Sequence, residues 1–177
     1  MLIELTHLIF DGLPVYPGDT ATHLVHSKQF LRDKYNNHQL DINMHSGTHI
    51  DGPMHMLDVT KTINEYPLDT FIGNGCMLDV SNETVIDYSE ACENKIQERD
   101  IVLLHTGHDV YFGQERYFEG HPVLSMEFAR LLVKKRVKII GMDMPSPDRF
   151  PFEIHKYLLS NDVLILENLT NVGALLG

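Results

Sequence analysis

Three short runs decide the fold: IVLLHTG at 101–107, VKIIGMDM at 137–144 and VLILEN at 163–168. Each is almost wholly apolar until it meets a Gly, Asp or Glu, which is how a strand buried on both faces reads. Two stretches between them have helical spacing. HPVLSMEFARLLVKKR (121–136) offers Ser125 as a cap and sets Phe128, Leu131 and Leu132 on one face. It ends in Lys134, Lys135 and Arg136, which suit the negative end of a helix dipole. FPFEIHKYLLSN (150–161) is the second helix. Strand, helix, strand, helix, strand specifies an α/β fold, a mixed or parallel sheet with helices packed against it.

Outward from that core the chain is less regular. GCMLDVS (75–81) reads as a strand and DYSEACENKI (87–96) as a short helix, with Asp87 and Glu90 at the spacing of a capping box. Near the start, LIELTHLI (2–9) alternates loosely as a strand would. DGLPVYPGDT (11–20) then packs two Pro, two Gly and two Asp into one loop. ATHLVHSKQF (21–30) and HQLDINMH (38–45) are two further extended segments. There is no repeat, linker or low-complexity segment, so residues 1–177 are expected to form a single domain.

Composition narrows the function. Lys and Arg total 14 against 25 Asp and Glu, a formal net charge of −11. Nucleic acid and anionic membranes are therefore not expected partners, since both call for basic patches. No run approaches the ~20 apolar residues of a membrane span. The start, MLIELTHLIFDG, lacks the basic region of a secretion signal, so the chain is expected to be cytoplasmic, with Cys76 and Cys92 as reduced thiols. No G-x-S-x-G elbow and no phosphate-binding glycine loop occurs, which argues against serine nucleophiles and nucleotide chemistry.

Histidine stands out. The chain has 11, and three lie in one window, NMHSGTHIDGPMHM (43–56). Gly47, Gly52 and Pro53 disfavour a helix there. The expected path is a strand carrying His45, a bend at Ser46-Gly47, and an extended stretch in which His49 and Asp51, two apart, point the same way. Gly52-Pro53 then turns the chain and returns His55. Two imidazoles and a carboxylate leave open positions on a divalent metal, the ligand count of a catalytic rather than a closed structural site. A lone histidine would be a surface or hydrogen-bonded core residue; three around an aspartate are a site. For His55 alone the plainer reading is the stronger, a fourth ligand or a partner of a ligand rather than a catalyst.

Ligands in open α/β sheets bind beyond the carboxyl ends of the strands. Thr106, Asp143 and Glu167 end the three deciding runs and emerge at that edge. Thr106 and Asp143 read equally well as loop starters or caps. Glu167, directly after VLIL, is awkward to leave unpaired. His155, on the preceding helix, is by itself an unremarked histidine.

The segment HSGTHIDGPMH (45–55) resembles the HxGTHxDxPxH signature of the cyclase family of metal-dependent hydrolases, whose best understood members are bacterial kynurenine formamidases. LPVYPGD (13–19), LLHTG (103–107), GMDMPSPD (141–148) and the stretch from His155 to ILENLTN (165–171) have counterparts in the same order. The resemblance implies a swivelling β/β/α-type fold. It implies that His45, His49 and Asp51 hold a divalent metal, Zn²⁺ first and Mn²⁺ as the alternative, and that His55 is the acid–base residue. His155 and Glu167 would complete a second metal site bridged by the aspartate, or anchor water and substrate. The implied substrate is a small amide: N-formyl-L-kynurenine, hydrolysed to kynurenine and formate in tryptophan catabolism. Tyr16 would contact it, standing where Trp is common before Pro-Gly-Asp. The resemblance further implies a homodimer or homotetramer. Family members continue past the ENLxN stretch, whereas this chain stops at Gly177, so the family's final strand is expected to be missing. The rival readings are a relative acting on a cyclic amide or closing a ring, and a metal-binding module without turnover, which would have no use for His55.

Overall fold

The computed structural model describes residues 2–176. Its centre is a five-stranded sheet built from β3 (His49–Asp51), β4 (Gly75–Asp79), β6 (Ile101–His105), β8 (Ile139–Met142) and β9 (Leu164–Glu167), in the order β3-β9-β8-β6-β4. Four strands are parallel and β3 runs antiparallel to β9, so the sheet is mixed, as the strand–helix alternation predicts. The deciding runs are the three central strands. Their two-sided burial follows from having a layer on each face.

On one face Leu78, Val102, Leu104, Ile140, Met142 and Ile165 meet two helices, α4 (Met126–Lys134) and α5 (Glu153–Ser160). Phe128, Ala129, Leu131 and Leu132 of α4 and Leu158 and Leu159 of α5 are buried there. On the other face Ile139 and Leu164 pack with Tyr66, and around them Ile50, Ile101, Leu166 and Phe71. Short 3₁₀ turns at Ile63–Glu65 and Leu68–Phe71 supply that cover. Gly141 lies in this second layer because a Cβ there would fall 2.5 Å from Leu103 Cδ2.

Caps fix the helix starts. Ser125 Oγ accepts from Phe128 N at 3.0 Å, as read from the sequence. The helix begins later than 121 because Val123–Leu124 (β7) pairs in parallel with Val85–Ile86 (β5). The short helix α2 (Glu90–Lys95) is capped by Ser89, whose hydroxyl receives Cys92 N at 3.2 Å; Asp87 instead accepts a hydrogen bond from Ser125 Oγ. Another short helix, α3 (Glu115–Glu119), buries Tyr117.

The N-terminal reading needs one correction. Residues 2–9 form no strand: Leu2 and Leu8 are exposed, and the backbone is held by single bonds, His7 N to Thr48 Oγ1 and Thr170 N to Leu5 O. A loose alternation with no partner strand does not make a sheet edge. The segments after it do pair, as an antiparallel hairpin of β1 (His23–Lys28) and β2 (Asn37–Asp41), joined through α1 (Phe30–Asp33). This hairpin leaves Val25, Phe30, Leu31 and Leu40 exposed. Among the described residues no helix is long and apolar enough to cross a membrane.

Candidate functional site

The antiparallel pairing of β3 with β9 sets His49 directly opposite Glu167. Side chains alternate along β3, so His49 and Asp51 share the sheet face that α5 covers, while Ile50 turns to the other layer. His49 Nε2 lies 3.3 Å from Asp51 Oδ1 and 3.5 Å from Glu167 Oε2. His45 reaches the same spot from a turn, not from a strand end: its N–H donates to Asn43 Oδ1 at 2.9 Å, and Ser46 N donates to Asn43 O. Gly47 follows at φ +63°, a left-handed position where a Cβ would also crowd Leu13. The result brings His45 Nδ1 to 2.8 Å from Asp51 Oδ1.

Beyond β3, Gly52-Pro53 starts a single 3₁₀ turn that returns His55, with Nε2 4.0 Å from Asp51 Oδ2 and its ring 3.9 Å from that of His45. The fourth imidazole comes from α5: His155 Nε2 is 3.1 Å from Glu167 Oε1 and 3.8 Å from Asp51 Oδ2. All six residues of the histidine–carboxylate reading thus meet around Asp51, which is 1% exposed. Thr106 and Asp143 do not. Asp143 is sealed in the core, accepting from Thr106 N, Thr106 Oγ1 and Gly107 N, and joins the ends of two strands.

The donor chemistry of this cluster fits a cation. His49 Nδ1 donates to Gly47 O at 2.8 Å, and His155 Nδ1 to Asp148 Oδ1 at 2.6 Å. Each bond uses the Nδ1 proton, so a neutral imidazole at either position turns an Nε2 lone pair toward Asp51 and Glu167, and His155 meets Glu167 by gaining a second proton on Nε2. Both Asp51 oxygens are buried with no hydrogen-bond partner among the described residues, since the close approach of His45 is not aligned as one. Lone pairs facing carboxylates in a dry pocket are repulsive until a proton or a metal ion lies between them. Two ligand groups share the aspartate: His45, Asp51 and His55 on one side, His49, Asp51 and Glu167 on the other.

The protonation pattern follows. Burial opposes ionisation of Asp51, but the adjoining His45 and His49 hold it below the usual carboxylate range. Burial pushes Glu167 up, with His155 opposing and Asp51 adding to the rise. His55 is lowered to about 4 by burial, against the pull of Asp51 and with the push of the other imidazoles, so it is neutral near pH 7. Burial also works against the His155 imidazolium, yet its bonds to Asp148 and Glu167 outweigh this and raise it to about 9.

A cavity of about 190 Å³ opens over the cluster. His45, His55, His155 and Glu167 line its floor, and Met56, Phe118, Phe152 and Tyr16 its walls. Tyr16 stands at the mouth, its ring edge-on to Phe118 at 5.7 Å. Sequence reading missed the residues that steady this arrangement. Asp148 orients His155 and also accepts from Ile154 N at the start of α5. Asn168 donates to Gly47 O, the carbonyl that receives His49, and accepts from the buried Tyr117 hydroxyl. The signal for both was their place in segments already quoted, GMDMPSPD and ILENLTN; the partners of Asp148 lie across a turn on the next helix and those of Asn168 are distant in the chain.

Fold and site together define an α/β protein whose strand ends assemble a histidine–carboxylate cluster with a donor set that could hold a cation. The chain belongs to the cyclase family: the family described as "Putative cyclase" matches residues 3–149. A kynurenine formamidase of Bacillus cytotoxicus is 26% identical over 170 residues, covering 94% of this chain and 80% of the relative. An uncharacterized protein of Methanocaldococcus jannaschii is 32% identical over 177 residues, covering 99% and 85%. A solved structure described as a "potential metal-dependent hydrolase with cyclase activity" superimposes with a TM-score of 0.79 at 26% identity, covering 96% of this chain and 81% of its own.

The pH dependence of stability tests the electrostatics of the metal-free protein. A histidine raised from 6.5 to about 9 stabilises the fold fully below pH 6.5, and that contribution disappears as pH rises through about 9. The urea midpoint of metal-free protein is therefore expected to fall across this window, and the His155→Gln variant to lose most of that fall. A wild-type midpoint that stays flat would contradict the assignment.

Proposed function

We propose that this protein is a metal-dependent hydrolase that cleaves an amide bond, an arylformamidase converting N-formyl-L-kynurenine to kynurenine and formate. The observation that carries the reading is the convergence of imidazole nitrogens and the Glu167 carboxylate on buried Asp51, at the floor of an aromatic-walled cavity. Similarity to a kynurenine formamidase supports the choice of substrate.

In this reading His45, His49 and Asp51 hold the ion, Zn²⁺ or Mn²⁺, and Glu167 and His155 hold a second ion or orient water. When bound, such an ion supplies an acidified water and a positive charge for the developing oxyanion. The chain's residues do the rest. His55 is neutral near pH 7, so its imidazole accepts the proton of the attacking water. The resulting imidazolium then donates to the departing aryl nitrogen, which must leave as an amine. Proton transfer of this kind contributes roughly 10²–10⁴-fold. Tyr16, Phe118 and Phe152 enclose the aryl ring and keep bulk water from the reacting carbonyl.

Two variants beside the wild type test this. With metal content read by mass spectrometry and formate release followed in parallel, His49→Ala is expected to lose metal and activity together. His55→Ala is expected to keep its metal and lose roughly 10²–10⁴ in turnover. Equal activity in all three proteins would refute the mechanism, and metal loss in His55→Ala would make that residue a ligand.

The assembly proposed with this activity is a homodimer or homotetramer. The exposed apolar residues of the β1–β2 hairpin favour it, since a lone two-stranded hairpin is marginal in water. Sedimentation velocity at micromolar concentration is expected to give two or four protomers; a monomer would contradict it.

A further inference from the structure

The cavity carries information about the far end of its ligand. Outside the histidine–carboxylate cluster, its lining holds one charged side chain, Asp19, and neither lysine nor arginine. The other hydrogen-bonding groups beside Tyr16 are committed. Ser146 Oγ donates to Asp148 O at 2.6 Å, and the Asn168 amide is engaged at both ends, by Gly47 O and Tyr117. The Asp19 carboxylate is exposed and makes no hydrogen bond or ion pair among the described residues. Its position is nonetheless fixed. Asp19 N donates to Tyr16 O at 3.0 Å, closing a turn with Gly18 at φ +99°, and Phe118 braces the Tyr16 ring. One tight turn thus presents an aromatic wall and a carboxylate at the same cavity mouth.

We infer that Asp19 is a specificity-determining residue that receives the ammonium group of the substrate, and that the cavity reads no substrate carboxylate. This rests on the amidase reading above. Charge complementarity carries it: an ammonium near Asp19 gains a partner, whereas a carboxylate there meets like charge with no lysine or arginine in the lining to offset it. For a formylated amino acid bearing both groups on one carbon, the amine is the recognised handle. The preferred substrate class is an aryl formamide with a cationic side chain.

The test uses the full-length, metal-loaded protein and three formanilides sharing one ring system: the amino acid with both groups, its decarboxylated form and its deaminated form. For the wild type, the deaminated compound is expected to have a kcat/KM about three- to tenfold below the parent, with the difference in KM, while the decarboxylated compound at least equals the parent. In Asp19→Asn the ratio between parent and deaminated compound collapses toward one, and Asp19→Glu restores it. A merely structural role for Asp19 would depress all three compounds alike. Equal handling of the deaminated compound by the wild type, or a preference that survives Asp19→Asn, would overturn the inference.

Calorimetric binding of the three corresponding free anilines reads the same order without turnover. Tighter binding of the two amine-bearing anilines supports the role of Asp19, and equal binding overturns it. If no formanilide is hydrolysed, the amidase reading fails, and the aniline affinities still decide the role of Asp19.

Discussion

A carboxylate sealed from water needs a positive partner, and everything around Asp51 is arranged as an answer to that need. Burying an unpaired charge costs several kcal/mol even after the protein relaxes. Asp51 is 1% exposed, and its neighbours within 4.0 Å are imidazole nitrogens. Two of these imidazoles are oriented by the bonds their other nitrogens make, to Gly47 O and to Asp148. Without metal, the balance is met by a proton on His155. A divalent ion would meet it more fully, with Asp51, Glu167 and neutral imidazoles as the groups that would hold it.

The fold supplies the geometry that this charge balance requires. Parallel strands β6, β8 and β9 place polar residues at their carboxyl ends, and α5 returns His155 over the last of them. The antiparallel strand β3 then brings His49 and Asp51 to that edge from far away in the chain. Stiffness comes from bonds outside the cluster: Asn168 holds the Gly47 carbonyl, Asp148 holds both His155 and the first turn of α5, and Asp143 ties the neighbouring strand ends. These bonds fix the orientation of His49 and His155 from outside the cluster.

How much of this was legible in the sequence depended on distance along the chain. IVLLHTG, VKIIGMDM and VLILEN announce buried strands because apolar runs bounded by polar residues have few other uses. The phase of Phe128, Leu131 and Leu132, with the Ser125 cap, gives the intervening helix. The pairing of His49 and Asp51 on one face follows from the two-residue period of a strand. The register of His49 against Glu167 does not, because no local pattern encodes which distant strand completes a sheet edge. For the same reason Asp148 and Asn168 passed unnoticed: their importance lies in partners 7 residues away on a helix and 121 residues away on a turn. LIELTHLI misled because alternation shows only that a segment suits a strand. It does not show that a neighbouring strand is there to pair with it.

The most direct test of the central claim is a crystal structure of the Zn²⁺- or Mn²⁺-loaded protein, with the ion located by its anomalous signal. The account predicts an ion within about 2.0–2.2 Å of His45, His49 and Asp51 nitrogen and oxygen atoms. An ion bound elsewhere, with Asp51 left to a protonated histidine at saturating metal, would contradict it.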